Sequence, residues 1–345
     1  GVPARGGRLE RPLGPIGRGR AAENWVHARS SGATVQPVPA AAHGHILYAW
    51  ISCTYVLRMS PFFQRRGAKV MRVSEPREIA SGVVLMTAGS GPMAVNLYLV
   101  RSASRWVMVD CGWAGSARPV LSAVEKMLGP GNAPTAIFLT HIHPDHSGAA
   151  GVLARSWGIP VYVHQAELSM AAGRYIPEFS MPLDRWLVAP FLWSLPSRAR
   201  RRMEAANDIT DVVQGLPRSG EVPGLPDWVA VPTPGHTPGH VAYWRSKDGV
   251  LMTGDAVVTV NLNSLRGVLL GSPDLSGPPW YTTWNWKTSL DSVSRLAELG
   301  PRVLAPGHGQ PLAMGVVPRL RAVATKEQAQ RLALRRRPGG APKAA

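Results

Sequence analysis

Four side chains capable of binding metal ions lie close together in the segment Thr140–His146. His141 and His143 alternate with an apolar residue, and in an extended strand end such alternation places both imidazoles on one side. Asp145 and His146 follow a proline, where the backbone turns, so they can face a second centre nearby. Neutral imidazole nitrogens and carboxylate oxygens suit zinc. A polar surface loop is the alternative, but this density of ligands after an apolar strand favours a metal site.

Three further candidate ligands each lie in a glycine-bearing loop that follows an apolar stretch. They are His236 in the motif TPGHTPGH, Asp255 after the run VLM, and His308 after the run VLA. The same motif also contains His240. In α/β proteins, active groups are expected at the carboxyl ends of sheet strands. We therefore expect these loops to meet the first segment at one site.

The elements that must position these residues alternate between strand and helix. Short apolar runs predict strands at Ile79–Met86, Val95–Val100, Trp106–Val109, Ala136–Leu139, Val161–His164, Trp228–Val231, Val241–Trp244, Val250–Met252 and Val303–Ala305. Amphipathic patterns predict helices at Pro119–Leu128, Ala149–Trp157, Ser289–Leu299 and Pro318–Leu334. This alternation indicates an α/β protein.

The positive charge of the chain is concentrated at its two ends. Residues 1–70 carry ten Lys/Arg and two acidic residues, and residues 319–345 carry eight and one, within a net charge of +17. Because the central part is nearly neutral, solvated tails are favoured over nucleic-acid binding. We expect a disordered or poorly ordered basic extension at 1–70, a catalytic domain at 71–318, and a basic C-terminal helix and tail at 319–345.

Neither a membrane span nor a disulfide framework is expected. The most apolar segment, Ile46–Leu57, is too short to cross a bilayer, and no clear cleavage site follows it. Two cysteines, Cys53 and Cys111, cannot form a disulfide framework and fit a reducing setting. We expect a cytoplasmic protein, with homodimerisation as an open alternative.

Residues 174–215 interrupt the α/β pattern and are interpreted as an insertion. Aromatic residues are frequent both here and between Asp255 and His308; they are Tyr175, Trp186, Phe191 and Trp193, then Trp280, Tyr281, Trp284 and Trp286. A lid over an apolar substrate and ordinary packing of a helical hairpin explain them equally well. The arginines at 198–202 favour a solvated face over steering of an anionic group or an acidic membrane surface.

The ligand motifs resemble those of the metallo-β-lactamase superfamily over about residues 78–315. The shared features are an HxHxDH loop, a later His, an Asp in a GD turn and a final GH. The resemblance implies an αββα sandwich, in which two mixed β-sheets are flanked by helices.

The resemblance also implies a division of the ligands. His141, His143 and His236 would hold one metal; Asp145, His146 and His308 would hold the other; Asp255 would bridge the two. In the segment Val109–Gly112, which matches the first motif of the family, Asp110 is expected to orient the ligand loop through hydrogen bonds. His240 is expected to be a supporting residue. His27, His43, His45 and His164 have no ligand-like context.

The chemistry implied is hydrolysis by a hydroxide shared between two zinc ions, with iron or manganese as alternative metals. The substrate would be a small molecule, apolar if the lid exists, with an ester, thioester, lactone or related amide bond. Asp145 would orient the water or transfer its proton.

Several positions narrow the activity that the resemblance implies. True β-lactamases of the superfamily usually carry Cys or Ser where Asp255 stands, which favours a branch of glyoxalase II-like thioesterases and lactonases. Only 37 residues follow His308, fewer than the helical domain of glyoxalase II requires. Val258 occupies the position where many acyl-homoserine lactonases carry Tyr.

Three alternatives remain at this point. Persulfide dioxygenases of the superfamily share the ligand loop but use one iron, a different reaction class. Promiscuous β-lactam hydrolysis is a second. A non-catalytic binding protein is the third, and the complete ligand set argues against it.

Overall fold

Thirteen strands, most of them apolar runs, lie within residues 71–335, the part of the chain that this computed structural model describes. The strands are β1 Arg77–Ala80, β2 Val83–Ala88, β3 Val95–Ser102, β4 Arg105–Val109, β5 Ile137–Phe138, β6 Val161–Val163, β7 Val213–Gly215, β8 Val229–Pro232, β9 Val241–Arg245, β10 Val250–Gly254, β11 Val258–Val260, β12 Pro273–Ser276 and β13 Val303–Pro306. The extension expected at 1–70 and the tail after Arg335 lie outside the described residues.

The same residues contain eight α-helices. They are α1 Ala117–Leu128, α2 Pro144–Ser147, α3 Ala150–Trp157, α4 Ala189–Ser194, α5 Ser197–Asn207, α6 Leu265–Leu270, α7 Trp286–Glu298 and α8 Val316–Arg335. None of the helices described between residues 71 and 335 combines the length and apolar character required to cross a bilayer.

The strands pair into two large mixed sheets and one small sheet. The first has the order β1-β2-β3-β4-β5-β6-β7, antiparallel as far as β4 and parallel from β4 to β7. The second has the order β13-β10-β9-β8, with β13 parallel to β10 and the other pairs antiparallel. β11 and β12 form a separate antiparallel pair.

Side chains alternate between two apolar layers along the strands of the first sheet. Leu85 and Tyr98 are paired across β2 and β3 and belong to a core shared with Tyr243 and Met252 of the second sheet. Their neighbours, such as Met86, belong instead to a core that the first sheet shares with α1 and α3. Because both faces of the strands are buried, their sequences read as nearly continuous apolar runs.

A third apolar layer covers the outer face of the second sheet. Leu251 of β10 packs there with Val293 of α7 and Leu320 of α8, and Val316, Leu320 and Val323 form one stripe along α8. The order of layers is therefore helices, sheet, sheet, helices. This confirms the predicted αββα sandwich.

The predicted strand Ile79–Met86 is divided into β1 and β2 by a turn at Gly82, and the helices α2, α4 and α5 were not predicted. Four further elements were not predicted from the sequence pattern. They are β7 at the end of the range 174–215, and β11, α6 and β12 between Asp255 and α7. The strands are only three or four residues long, and β12 contains Pro273 and Asp274, which local propensity disfavours in strands. Pairing with β6 and within the small sheet, both long-range contacts, determines them.

Residues 174–212 contain α4, α5 and short 3₁₀ and π segments. Trp186 and Trp193 are strongly exposed, with 76% and 69% of their surface accessible. Phe179 lies edge-on to Trp284 with ring centroids 6.4 Å apart, so this region touches the second aromatic cluster. Whether it acts as a lid stays a prediction.

Candidate metal centre

The densest ligand loop leaves the carboxyl end of β5 and ends in α2. Pro144 occupies the first turn of this short helix, where its fixed φ suits the helical start. His143 precedes the helix in an extended conformation, and Asp145 and His146 lie within it. Because the backbone changes from extended to helical, His141 and His143 point toward one group of candidate ligands and Asp145 and His146 toward another.

Parallel pairing brings two more candidates to the same edge. β10 and β13 run parallel, so Asp255 after β10 and His308 after β13 leave the second sheet side by side. Gly307 lies in close contact with Asp255 and His146. A Cβ at this position would overlap Asp255 Oδ1 and approach His146 Cε1 to 2.8 Å. A side chain at position 307 would therefore displace the carboxylate.

His141, His143 and His236 form the first ligand group, and all three are buried. His141 Nε2 and His143 Nδ1 face each other at 3.0 Å. The ring centroid of His236 lies 4.7 Å from that of His141 and 4.5 Å from that of His143. These nitrogens could hold one ion with three imidazole ligands, a pattern typical of zinc.

Asp145, His146, Asp255 and His308 form the second ligand group, also buried. His308 Nε2 lies 3.2 Å from Asp145 Oδ2 and 3.4 Å from Asp255 Oδ2. His146 Nε2 lies 3.3 Å from Asp255 Oδ1.

Asp255 also reaches the first group, because its Oδ2 lies 3.6 Å from His236 Nε2. One carboxylate thus stands between the two groups. The seven ligands expected from the sequence are all brought to this one place.

Hydrogen bonds to Nδ1 set the orientation of four histidines. His308 donates from Nδ1 to the carbonyl oxygen of Ala94 at 2.8 Å, which directs its Nε2 toward the carboxylates of Asp145 and Asp255. The partners of the other three are Asp110 Oδ2 for His146, Thr283 Oγ1 for His236 and Thr140 Oγ1 for His141. Fixing one ring nitrogen in this way is typical of histidines that ligate metals through the other.

Asp110 links the end of β4 to the ligand loop. Its carboxylate accepts hydrogen bonds from the backbone N–H and the hydroxyl of Thr140, both at 2.8 Å, and from His146 Nδ1 at 2.8 Å. Its φ of 57° lies in the left-handed region, which Asp tolerates better than most residues. These contacts place Asp110 where the expected orienting role would require it, and the role itself stays a prediction.

His240 is oriented differently from the ligand candidates. Its Nε2 accepts the backbone N–H of Asp255 at 3.1 Å, and its Nδ1 lies 2.7 Å from Thr233 Oγ1. Both ring nitrogens are therefore engaged by the protein, and the side chain positions the backbone that carries Asp255.

Charge is unevenly shared between the two ligand groups. Burial lowers the pKa of His141 and His236 well below the ordinary value and lowers that of His143 to about 4. Burial also lowers the pKa of His308, but the carboxylates of Asp255 and Asp145 outweigh it and raise that pKa to about 10. The second group thus attracts positive charge, which either protons or a metal ion can supply.

Several buried atoms of the site fit a divalent cation better than they fit the protein alone. Within residues 71–335, His146 Nε2, His236 Nε2 and Asp255 Oδ1 have no hydrogen-bond partner. Such buried polar atoms are costly unless a ligand satisfies them. Nitrogen and carboxylate ligands in two adjoining groups suit a pair of divalent transition-metal ions.

We expect the metal-free protein to lose stability as the pH falls from about 6.5 toward 4. Burial holds four histidines neutral, since it lowers the pKa of His240 to about 3 and of His143 to about 4, with His141 and His236 also well below 6.5. In this range the unfolded chain binds protons that the folded chain does not, so acid favours unfolding, by up to about 1.4 kcal/mol per pH unit for each group.

Glu167 acts in the opposite direction, because burial raises its pKa to about 7 and its contribution is lost as the pH rises toward that value. Asp184, whose pKa burial raises to about 6, acts in the same direction as Glu167, and so, more weakly, do His146 and His308, whose pKa values in the folded chain lie above the unfolded value. The four neutral histidines outweigh these groups. Thermal denaturation in the presence of a chelator should therefore give a lower Tm at pH 5 than at pH 6.5. A Tm that is constant or higher at pH 5 would contradict this reasoning.

An apolar-walled cleft opens onto the ligands. Its polar side consists of His143, Asp145, Asp255 and His308, and the remaining lining residues are Met93, Leu262, Pro279, Tyr281 and Thr282. Tyr281 alone among the eight aromatic residues named above lines this cleft. The ring of Tyr281 packs with Val260, Leu262 and Val268, whereas its buried hydroxyl has no hydrogen-bond partner within the described chain.

Two residues near the site were missed in the sequence. Glu167 is buried beside the ligand loops, and Tyr281 lines the cleft. The sequence marks Tyr281 only as one member of the aromatic cluster between Asp255 and His308. Glu167 gives no signal, since an isolated glutamate between the predicted strand Val161–His164 and the insertion resembles any solvated residue. His164 Nδ1 accepts the N–H of Ala166 and so caps the 3₁₀ helix Gln165–Ala172.

Comparison with known proteins gives consistent results. Residues 90–308 match the family model of the metallo-beta-lactamase superfamily. The chain is 35% identical over 239 residues to "Probable metallo-hydrolase YflN" of Bacillus subtilis (strain 168), which covers 68% of this chain and 86% of that protein. It is 30% identical over 151 residues to a hydroxyacylglutathione hydrolase of Bdellovibrio bacteriovorus, covering 44% of this chain and 43% of that protein.

A solved structure shows the same fold. The crystal structure of a metallo-beta-lactamase family protein from Thermus thermophilus matches with a TM-score of 0.51 and 26% identity, covering 74% of this chain and 83% of that one. Since the family model spans most of the sandwich and all seven clustered ligands, the chain belongs to the metallo-beta-lactamase superfamily and is a metal-dependent hydrolase.

Proposed function

We propose that this protein is a two-zinc hydrolase that cleaves an ester, thioester or lactone bond in a small molecule. The first ligand group would hold one ion and the second the other, with Asp255 shared. The main observation that supports this proposal is the position of Asp255. Its carboxylate lies 3.6 Å from His236 Nε2 and 3.4 Å from His308 Nε2. When bound, two such metal ions supply a water of lowered pKa and a Lewis acid for the attacked oxygen.

The protein's own residues would orient the water and the substrate. Asp145 lies at the cleft, with Oδ2 3.2 Å from His308 Nε2, so its carboxylate can accept a proton from a water held between the groups. Burial raises the pKa of Tyr281, as do the nearby carboxylates, and its phenol therefore keeps its proton. A protonated, unpartnered phenol on a residue that lines the cleft can donate to the oxygen on which negative charge develops.

The cleft supports a substrate with an apolar part. Met93, Leu262 and Pro279 line the cleft together with four of the candidate ligands. A thioester is supported further by the similarity to a protein named hydroxyacylglutathione hydrolase. The iron-dependent dioxygenase receives no such support, because the named relatives are hydrolases. A cytoplasmic location, a homodimer and the absence of a nucleic-acid partner stay predictions.

A hydrolysis screen with parallel metal analysis tests the proposal. The metal content of the purified protein is measured as isolated, and this form and a zinc-loaded form are both assayed on thioesters, lactones, carboxylic esters, β-lactams, phosphodiesters and a persulfide. We expect two zinc ions per chain and turnover confined to the first three classes. One iron per chain with oxygen consumption on a persulfide, or turnover of phosphodiesters alone, would contradict it.

A further inference from the structure

Glu167 is a fully buried acidic residue that the proposed chemistry does not use. It lies in the 3₁₀ helix Gln165–Ala172, directly after β6, with none of its surface exposed. A buried carboxylate is costly unless it is hydrogen-bonded. The hydrogen-bond partners of Glu167 therefore indicate which parts of the structure its carboxylate stabilises.

The two carboxylate oxygens of Glu167 bind two different loops. Oε2 accepts the backbone N–H of Ile142 at 3.0 Å, and Oε1 accepts the backbone N–H of Gly239 at 2.7 Å. Ile142 lies between His141 and His143, and Gly239 lies three residues after His236. One side chain thus joins the two loops that supply every nitrogen of the first ligand group.

The fit between Glu167 and the second of these loops is close. A Cβ at position 239 would lie 2.7 Å from Glu167 Cγ and 2.9 Å from its Oε1, so no side chain other than glycine's hydrogen is accommodated there. The glycine allows the backbone of the TPGH loop to rest on the carboxylate.

The segment that carries Glu167 is anchored to the first sheet. Gln165 Nε2 donates to the carbonyl oxygen of Leu216, the residue after β7, at 3.0 Å. His164 Nδ1 caps the 3₁₀ helix by accepting the N–H of Ala166. The carboxylate is therefore held by β6 and β7, independently of the loops that it binds.

We propose that Glu167 is a positioning residue for the first metal ion: it fixes the His141–His143 loop and the His236 loop at the separation that this ion requires. The inference rests on the proposed function only in that the first group binds a metal. Both oxygens must act as acceptors, so an amide cannot replace the carboxylate. In Gln one end is an NH₂ donor, and it would face an N–H donor of one loop.

The test measures zinc affinity of the full chain by competition with a chromophoric chelator at pH 8, where Glu167 is ionised. E167Q is compared with wild type and with E178Q, the same change at an exposed position of a nearby 3₁₀ helix. We expect the first ion to bind about 10–100-fold more weakly in E167Q, the usual cost of losing an outer-shell partner, and E178Q to bind as wild type does.

Two variant backgrounds separate the ligand groups. In His308→Ala only the first group is complete, and there E167Q should lower zinc affinity. In His236→Ala only the second group is complete, and there E167Q should leave zinc affinity unchanged. Equal weakening in both backgrounds would show a general structural role and overturn the proposal, as would an unchanged affinity in the first.

A second variant keeps the proposal testable if E167Q does not fold. E167D retains the charge but is one methylene shorter, so it cannot reach both loops; wild-type affinity for the first ion in E167D would overturn the inference. If wild type itself binds no zinc, the proposed function fails. If wild type binds two ions and the Glu167 variants match it, only this inference fails.

Discussion

Replacing Asp255 with alanine should reduce the metal content from two ions per chain toward one and abolish hydrolysis. The carboxylate lies 3.3 Å from His146 Nε2, 3.4 Å from His308 Nε2 and 3.6 Å from His236 Nε2. The imidazoles of His308 and His146 outweigh burial and hold the pKa of Asp255 well below its usual range, so the group is anionic. Its loss would remove the carboxylate that lies near nitrogens of both groups, whereas the three nitrogens of the first group would remain.

Metal analysis and steady-state kinetics on the best substrate of the screen measure this effect. We expect kcat/KM to fall by more than about 10²-fold, since loss of an outer-shell partner alone already costs about 10–100-fold. Asp274→Ala, at an exposed position of β12, is the matched control and should retain both ions and full activity. A fully active Asp255→Ala enzyme would refute the shared role.

Replacing Tyr281 with phenylalanine should lower kcat by about 10²-fold, the typical effect of removing one donor to a developing oxyanion. Other buried tyrosines use their hydroxyls inside the fold: Tyr98 donates to Pro306 O at 2.7 Å and Tyr243 to Leu139 O at 2.9 Å. The buried hydroxyl of Tyr281 has no such partner in the described residues, and the residue is one of those that line the cleft. The phenylalanine ring would keep the packing with Leu262 and Val268.

The kinetic pattern distinguishes this role from a structural one. Because the donor would act mainly in the transition state, kcat should fall while KM changes little. Metal content and Tm should equal those of wild type, and Tyr175→Phe, a change outside the cleft, should leave kcat unaltered. A rise in KM at constant kcat would instead assign Tyr281 to ground-state binding.

Much of the fold could be predicted because its strands are buried on both faces and therefore read as apolar runs. The predicted strands Val95–Val100 and Val241–Trp244 correspond in this way to β3 Val95–Ser102 and β9 Val241–Arg245. β7 and β12 could not be predicted, since their three or four residues carry little local signal and long-range pairing forms them.

The candidate ligands were also readable, because metal-binding side chains are unusual at such density directly after apolar strands. The spacing separates His141 and His143 from Asp145 and His146, whereas the assignment of His236, Asp255 and His308 to the two groups comes only from the family resemblance. The distances add that one carboxylate oxygen of Asp255 lies near nitrogens of both groups, a relation between segments that are far apart in the chain.

The sequence by itself therefore determined the order of the main elements and the identity of the clustered ligands, since both depend on local pattern and spacing. Only the tertiary structure decided which residues without a sequence motif of their own surround the candidate ligands. Glu167 became a link between two ligand loops, and Tyr281 was separated from the exposed Trp186 and Trp193 as the aromatic residue of the cleft. The physical reason is that burial and hydrogen-bond partners arise from long-range packing, which no local spacing encodes.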